Sequence, residues 1–277
     1  MSRTYAEVIG DPISHSKSPA IHSFWLKKLG IDADYHACHV RPDELAAYLA
    51  RRRDDVNWRG CNVTIPHKET VARLVDECDF KANAIGAVNT VVRQADGRLL
   101  GTNTDVDGVA GAVGGIDLAD RVAVVIGAGG AARAAFAYLA GQGCACVRIL
   151  ARSPEKALQA AADCGLTADV RRFVPDSGAF DGATLLINAT QLGMKGQDPM
   201  PGFVLNELAS LARDALVFDM VYVPLQTALL EAARLCGSGR ADGLLMLVGQ
   251  AATAFARFFG QSAPRECDAE LRGLLTS

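Results

Sequence analysis

At 277 residues the chain is long enough for two domains of about 100–200 residues each, and its 50% hydrophobic and 21% charged content can fill two cores. A formal net charge of −3 leaves no basic footprint for a nucleic acid. No stretch reaches the roughly 18 apolar residues of a membrane span, and the N-terminal segment has no signal-peptide apolar core, so a cytoplasmic protein with neither nucleic-acid nor membrane partners is predicted.

The first third alternates short strands and helices. Residues 5–9 read as a strand and Gly10-Asp11-Pro12-Ile13 as a turn. Ser18 is a candidate cap for a helix whose first residue is Pro19, where the missing N–H costs nothing. Ile21, Trp25 and Leu29 mark one apolar face, and Gly30 is the stop signal. Strands are predicted over 35–40 and 60–65, and helices over 43–53 and 67–76. The latter part of the first of these helices, Arg51-Arg52-Arg53, is the one cationic run and reads as a solvated helix end. Segments 86–92 and 99–101 flank Asp96-Gly97, a hairpin signal.

The middle third changes character. Val122-Ala123-Val124-Val125-Ile126 is a continuous apolar run, the pattern of a parallel strand buried on both faces. Gly127-Ala128-Gly129-Gly130-Ala131-Ala132 follows, then an alanine-rich helix over 131–140 closed by Gly141 and Gly143. Residues 147–150, 184–188 and 216–219 read as further buried strands, and Ser153-Pro154 opens a helix that ends near Gly165. This is the doubly wound nucleotide-binding pattern. Two helices are predicted from about Leu244 onward and are expected to pack back on the first domain. The glycine-rich segments 105–115 and 237–243 are hinge candidates. The predicted division is a first α/β domain over 1–107, completed by 243–277, and a Rossmann-type domain over 108–242.

The eight cysteines are scattered without a Cys-x-x-Cys pair, and the five histidines lack ligand spacing, so thiols are expected reduced and no metal is assigned.

The candidate chemistry lies in a few polar segments. The glycine loop has a strand before it, a helix after it and Gly-x-Gly-x-x-Ala spacing. Gly127 allows the tight turn, Gly129 lets the backbone approach a pyrophosphate, Ala132 keeps helix and strand close, and the helix N-terminus presents oriented N–H groups. A chain selective for NAD carries an acid at the end of the next strand, for the ribose 2′-hydroxyl. Here that position reads Ala151-Arg152-Ser153, with Lys156 one turn on, and two cations and a hydroxyl suit a 2′-phosphate. Ordinary surface charge is the alternative reading.

Ser14-His15-Ser16-Lys17-Ser18-Pro19 places three hydroxyls ahead of a helix, either as a carboxylate cradle or as capping alone. Lys68, ending Asn62-Val63-Thr64-Ile65-Pro66-His67-Lys68, and Asp105, ending Gly101-Thr102-Asn103-Thr104-Asp105, both follow strand-like residues. A lysine beside a carboxylate can hold and relay a proton, and with a dinucleotide site this points to hydride transfer between an alcohol and a ketone. Asn89 interrupts a strand pattern with an amide that a polyhydroxylated ligand or a turn could satisfy. Tyr222 and Gln250 are similar cases, Gln250 on an otherwise apolar helix.

Taken together these segments resemble the shikimate dehydrogenase family over nearly the whole chain. The resemblance rests on Ser14 to Pro19, Asn62 to Lys68, Gly86-Ala87-Val88-Asn89-Thr90, Asn103-Thr104-Asp105, the glycine loop, Asn188-Ala189-Thr190, Asp219-Met220-Val221-Tyr222, and Ala241-Asp242-Gly243 followed by Gln250. It implies NADPH-dependent reduction of 3-dehydroshikimate to shikimate in chorismate and aromatic amino acid biosynthesis, by a monomer or homodimer. Related alternatives are a quinate/shikimate or aminoshikimate dehydrogenase, or a ligand-sensing relative without turnover. The resemblance further implies that Ser14 and Ser16 hold the substrate carboxylate, with Tyr222 near it. Thr64, Lys68, Asn89, Asp105 and Gln250 contact ring hydroxyls, and Asn62 supports the site. Lys68 and Asp105 are the catalytic pair. Gly127, Ala128, Gly129, Gly130 and Ala131 hold the pyrophosphate, Arg152, Ser153 and Lys156 the 2′-phosphate, and Thr190, Met220 and Gly243 line the cofactor. Two departures stand out: Ala151 and Ser153 where the family often has Asn and Thr, with Lys156 where it often has a second arginine, and Val106-Asp107-Gly108 where glycine directly follows the aspartate.

Overall fold

The computed structural model describes residues 3–276. One unit runs to Thr104 and resumes at Gln250, and the other spans Asp105–Gly249, where the sequence placed the divisions at 107/108 and 242/243.

The first unit contains, in order, β1 (Thr4–Gly10), α1 (Ser18–Leu29), β2 (Ala33–His39), α2 (Leu45–Arg53), β3 (Trp58–Val63), α3 (Lys68–Val71), β4 (Glu77–Cys78), α4 (Phe80–Ile85), β5 (Thr90–Arg93) and β6 (Leu99–Thr102). Its sheet has the order β2-β1-β3-β5-β6-β4. β1 pairs in parallel with both β2 and β3, whereas β5 runs antiparallel to β3 and β6. Ala6 to Gly10 are all buried, as a central strand flanked on both sides requires. The buried Glu7 takes Arg52 Nε and Nη2 at 2.8 Å and the Tyr48 hydroxyl at 2.7 Å, so α2 is tied to the sheet by a paired charge.

Several local expectations change. Ser18 is the first residue of α1, not its cap; its N–H donates to Ser16 Oγ at 3.3 Å. Gly30 does end the helix, in the left-handed conformation at φ 64°. The predicted helix over 67–76 stops at Val71, because Asp76 is drawn to the sheet edge: its N–H reaches Leu99 O at 3.0 Å and its carboxylate accepts from Leu99 N–H at 2.7 Å. The predicted strand over 86–92 begins only at Thr90: α4 runs to Ile85, Gly86 caps it at φ 73°, and residues 87–89 form a connection without strand pairing.

The second unit contains α5 (Asp105–Val113), β7 (Val122–Ile126), α6 (Gly130–Leu139), β8 (Cys146–Ala151), α7 (Pro154–Asp163), β9 (Asp169–Arg172), β10 (Leu185–Asn188), α8 (Gly202–Glu207), β11 (Leu216–Asp219), α9 (Ala228–Leu235) and β12 (Gly239–Asp242). Its six strands are all parallel in the order β12-β11-β10-β7-β8-β9. The direction of winding therefore reverses between β7 and β10, the switch point at which such sheets bind ligands.

The two segments read as hinges are regular structure. α5 covers most of 105–115, and a Cβ on Gly249 would meet Gly108 Cα at 3.3 Å, so these glycines let two helices approach closely. β12 covers most of 237–243.

α10 (Gly243–Phe259) crosses the 249/250 division, and α11 (Asp268–Thr276) follows it. Within the first unit α11 lies on α1, where Lys17 Nζ donates to Leu275 O at 2.8 Å and Lys28 pairs with Glu270 at 2.7 Å. Phe255 and Phe258 of α10 pack with Trp25, His22 and Tyr35.

Candidate active site

In the first unit the sequence-predicted residues meet at the ends of β1, β3, β5 and β6. β1 and β3 come so close that a Cβ on Gly10 would stand 2.5 Å from Thr64 Cγ2. Asp11 N–H donates to Ile65 O at 3.1 Å, so the loop carrying Ser14 and Ser16 leaves from beside Thr64. Ser14 is exposed, and the Ser16 N–H is held by Ile13 O at 3.1 Å.

Lys68 begins α3 immediately after β3. Its position is fixed from two sides: its carbonyl accepts from Val88 N–H at 2.9 Å, and the preceding His67, buried, reaches Val40 O through Nε2 at 2.7 Å. Asn89 is fixed in turn, its carbonyl accepting from Val63 N–H at 2.7 Å and its N–H donating to Thr102 O at 3.1 Å.

The side chains form one buried polar chain. The Tyr35 hydroxyl donates to Asn62 Oδ1 at 2.6 Å, Asn62 Nδ2 to Thr90 Oγ1 at 3.0 Å, and Thr90 Oγ1 to Asn89 Oδ1 at 2.9 Å. Asn89 Nδ2 donates to Thr104 Oγ1 at 3.1 Å, and Thr104 Oγ1 lies 3.3 Å from Gln250 Oε1. Burial pushes the Tyr35 hydroxyl well above its usual range, so it is a donor at any working pH. Thus Asn62, Asn89 and Gln250, the three predicted site amides, are oriented by one network, and Asn103 anchors the same turn through Ala87 O at 2.9 Å. Asp105 directly follows Thr104 and opens α5.

The second unit carries the candidate phosphate site. Gly127 lies at φ +105°, and a Cβ there would meet Thr190 Cγ2 at 2.8 Å, so glycine is needed for both conformation and space. Cβ atoms on Gly129 and Gly130 would meet nothing within 4 Å, which leaves room for a ligand against the backbone. No side chain caps α6, whose first-turn N–H groups lack intrahelical acceptors and suit an anion. Ala132 is fully buried, as the close helix–strand contact requires. At the end of β8, Arg152, Ser153 and Lys156 are exposed and no carboxylate occupies the strand end.

Thr190 is held by its neighbours. Its N–H and Oγ1 donate to Asn188 Oδ1 at 3.1 and 2.7 Å, and Asn188 Nδ2 donates to Asp219 Oδ1 at 2.8 Å. Asp219 also accepts from Thr227 Oγ1 at 2.7 Å and Val221 N–H at 3.1 Å. Burial pushes the Asp219 carboxyl up, and these hydrogen bonds oppose that shift. Gly243 packs against the Met220 carbonyl so closely that no Cβ fits. Tyr222, three residues beyond Asp219, is partly exposed. These residues fit a dinucleotide with a 2′-phosphate. Among the described residues no group of three or more His, Cys, Asp or Glu could hold a metal, and no helix is long and apolar enough to cross a membrane.

The chain matches the shikimate dehydrogenase substrate binding domain over residues 8–91 and the shikimate 5′-dehydrogenase C-terminal domain over residues 243–270. It is 50% identical to a shikimate dehydrogenase (NADP(+)) of Sphingopyxis alaskensis, over 99% of this chain and 97% of that one. The chain belongs to the shikimate dehydrogenase family. Among solved structures, shikimate 5-dehydrogenase from Thermus thermophilus, in complex with NADP(H) and shikimate, is 35% identical with TM-score 0.83, covering 98% and 99% of the two chains. The ligand-free 5-ketofructose reductase of a Gluconobacter species superposes with TM-score 0.89 at 28% identity, covering 99% of both chains. The fold thus serves more than one ketone, and the substrate has to be argued from side chains.

The sequence reading missed Thr90, Thr104, Tyr35 and Asp219 as supporting groups. Thr90, Thr104 and Asp219 lay inside motifs already singled out. Tyr35 gave no signal, because a tyrosine in a half-buried strand reads as packing.

Proposed function

We propose that the chain catalyses the reversible NADPH-dependent reduction of 3-dehydroshikimate to shikimate, in the cytoplasm, as a monomer or homodimer. The observation that carries this reading is the buried chain from Asn62 through Asn89 to Gln250, held beside Lys68 by backbone hydrogen bonds. It presents several oriented amides to one ligand, as a ring with several hydroxyls needs.

NADPH, when bound, supplies the hydride. Lys68 donates a proton to the ketone oxygen as negative charge grows there. Asp105 orients Lys68 and accepts from an adjacent ring hydroxyl. Thr64, Asn89 and Gln250 hold the ring hydroxyls, and Asn62 orients Asn89 through Thr90. Ser14 and Ser16 donate to the ring carboxylate, with Tyr222 nearby. These two serines favour shikimate over a ketohexose, which has no carboxylate. Gly127 to Ala131 receive the pyrophosphate, Thr190, Met220 and Gly243 border the cofactor, and Arg152, Ser153 and Lys156 take the 2′-phosphate.

The test is cofactor reduction with shikimate, quinate, aminoshikimate and fructose, each with NADP and NAD. Shikimate with NADP should give the highest kcat/KM. Faster turnover of quinate or aminoshikimate would move the assignment within the family, and reduction with fructose alone would remove the role given to Ser14 and Ser16.

A further inference from the structure

The arginines around β8 and β9 fall into two groups. Arg148 donates to Ala179 O at 2.9 Å and Asp181 O at 2.8 Å; Arg171 pairs with Asp169 at 2.7 Å and donates to Ser177 O at 2.7 Å; Arg133 pairs with Asp163 at 3.0 Å. Arg152 and Arg172, with Lys156, are exposed and make no side-chain hydrogen bond or ion pair among the described residues, and Glu155 in the same helical turn neutralises none of them.

Strand register places Arg172 beside the end of β8 from which Arg152 follows. β8 and β9 are parallel, Ala151 is opposite Arg172, and Phe173 N–H donates to Ala151 O at 3.0 Å. Side chains alternate along a strand, so Arg172 shares a face with Ala151 and Ile149, opposite Leu150 and Arg171. The Leu150 face is packed by α8 and α9 residues together with Phe173. The other face therefore carries α7, which joins β8 to β9 and packs on both. Arg172 thus sits at the carboxyl end of its strand, on the face that carries α7, beside the β8 end that leads into Arg152. Arg152 and Lys156 at the start of α7 oppose the helix dipole unless an anion lies beside them.

We propose that Arg172 is a third determinant of 2′-phosphate recognition, acting with Arg152 and Lys156 from the neighbouring strand. The proposal rests on the NADP reading above. It also accounts for a chain that keeps only one arginine in the Arg152 to Lys156 segment. A lysine there is a point charge, and the missing guanidinium fork is supplied by Arg172 instead.

The test is calorimetric titration of adenosine 2′,5′-bisphosphate and of 5′-AMP into wild type, Arg172→Ala, Arg172→Lys and Arg152→Ala. Arg172→Ala should weaken the bisphosphate roughly tenfold, the effect of one charge-assisted hydrogen bond, and change 5′-AMP less than twofold. Arg172→Lys should recover part of the loss. Equal losses for both ligands, or no loss for either, would overturn the assignment, and an unchanged melting temperature would exclude misfolding as the cause of any loss. If Arg152→Ala abolishes discrimination while Arg172→Ala leaves it intact, Arg172 alone is excluded and the NADP reading stands. If wild type binds the two ligands equally, both are excluded.

Discussion

Thr104 grips both ends of the Asn89 amide: its N–H donates to Asn89 Oδ1 at 2.8 Å, and its hydroxyl accepts from Asn89 Nδ2 at 3.1 Å. The same hydroxyl is 3.3 Å from Gln250 Oε1, so one side chain sets the direction of two amides predicted to read the substrate. Thr104→Val keeps the shape and removes the hydroxyl. A buried amide left without its partner costs about 1–3 kcal/mol. We expect kcat/KM for shikimate to fall roughly ten- to a hundredfold while the KM for NADP moves little. An unchanged kcat/KM would mean that the amides are positioned without Thr104.

Lys68→Ala should lower turnover by roughly 10²–10⁴-fold, the usual contribution of a general acid–base group. Shikimate binding, measured by fluorescence or calorimetry, should weaken far less. Turnover near wild type would remove Lys68 from proton transfer.

Arg152→Ala should raise the KM for NADP about tenfold or more, the loss of one charge-assisted hydrogen bond. The KM for NAD should stay nearly constant, since NAD lacks the 2′-phosphate. Parallel losses would place Arg152 at the pyrophosphate or in folding.

His22 predicts an acid-sensitive core. It is fully buried, stacked on Tyr35 with ring centroids 4.0 Å apart, and burial pushes its pKa from 6.5 down to about 3. Above pH 6.5 the group is neutral in both states and contributes nothing to the pH dependence. Between about 6.5 and 3 the unfolded chain binds a proton there that the folded chain refuses. Stability therefore falls on acidification, with a slope of up to about 1.4 kcal/mol per pH unit from this residue. Denaturant titrations at pH 7, 5.5 and 4.5 should show a shallower decline for His22→Phe, and parallel curves would refute the assignment.

Gly243→Ala places a methyl group against the Met220 carbonyl, with Met220 C only 2.6 Å from the new Cβ. The neighbour is backbone and cannot rotate away, so the strand end or α10 has to shift. A cost of about 1–3 kcal/mol is expected for such overpacking, which corresponds to a fall in Tm of several degrees. NADP affinity should fall with it. A variant with wild-type Tm and cofactor affinity would show that the segment yields freely.

The second sheet was legible in the sequence because its strands are buried on both faces and read as unbroken apolar runs, as Val122–Ile126 does. The edge strands β9 and β12 escaped notice because Asp169–Arg172 and Gly239–Asp242 carry mostly charged or small residues. Gly108, inside a segment read as a hinge candidate, serves close packing against Gly249 of the neighbouring helix. Lys68, Asn89 and Gln250 were visible as polar residues in apolar settings. Thr90 and Tyr35 were not, because threonine and tyrosine fit strands without comment, nor was Thr104 beside Asp105, and only their hydrogen bonds disclose a role.

The central claim is that this chain reduces the ketone of 3-dehydroshikimate with NADPH. The most direct measurement is the loss of NADPH absorbance on adding 3-dehydroshikimate, with the product identified by chromatography and 5-ketofructose run in parallel. The account predicts one shikimate formed per NADPH consumed and little or no reaction with 5-ketofructose. Consumption of NADPH with 5-ketofructose and none with 3-dehydroshikimate would contradict it.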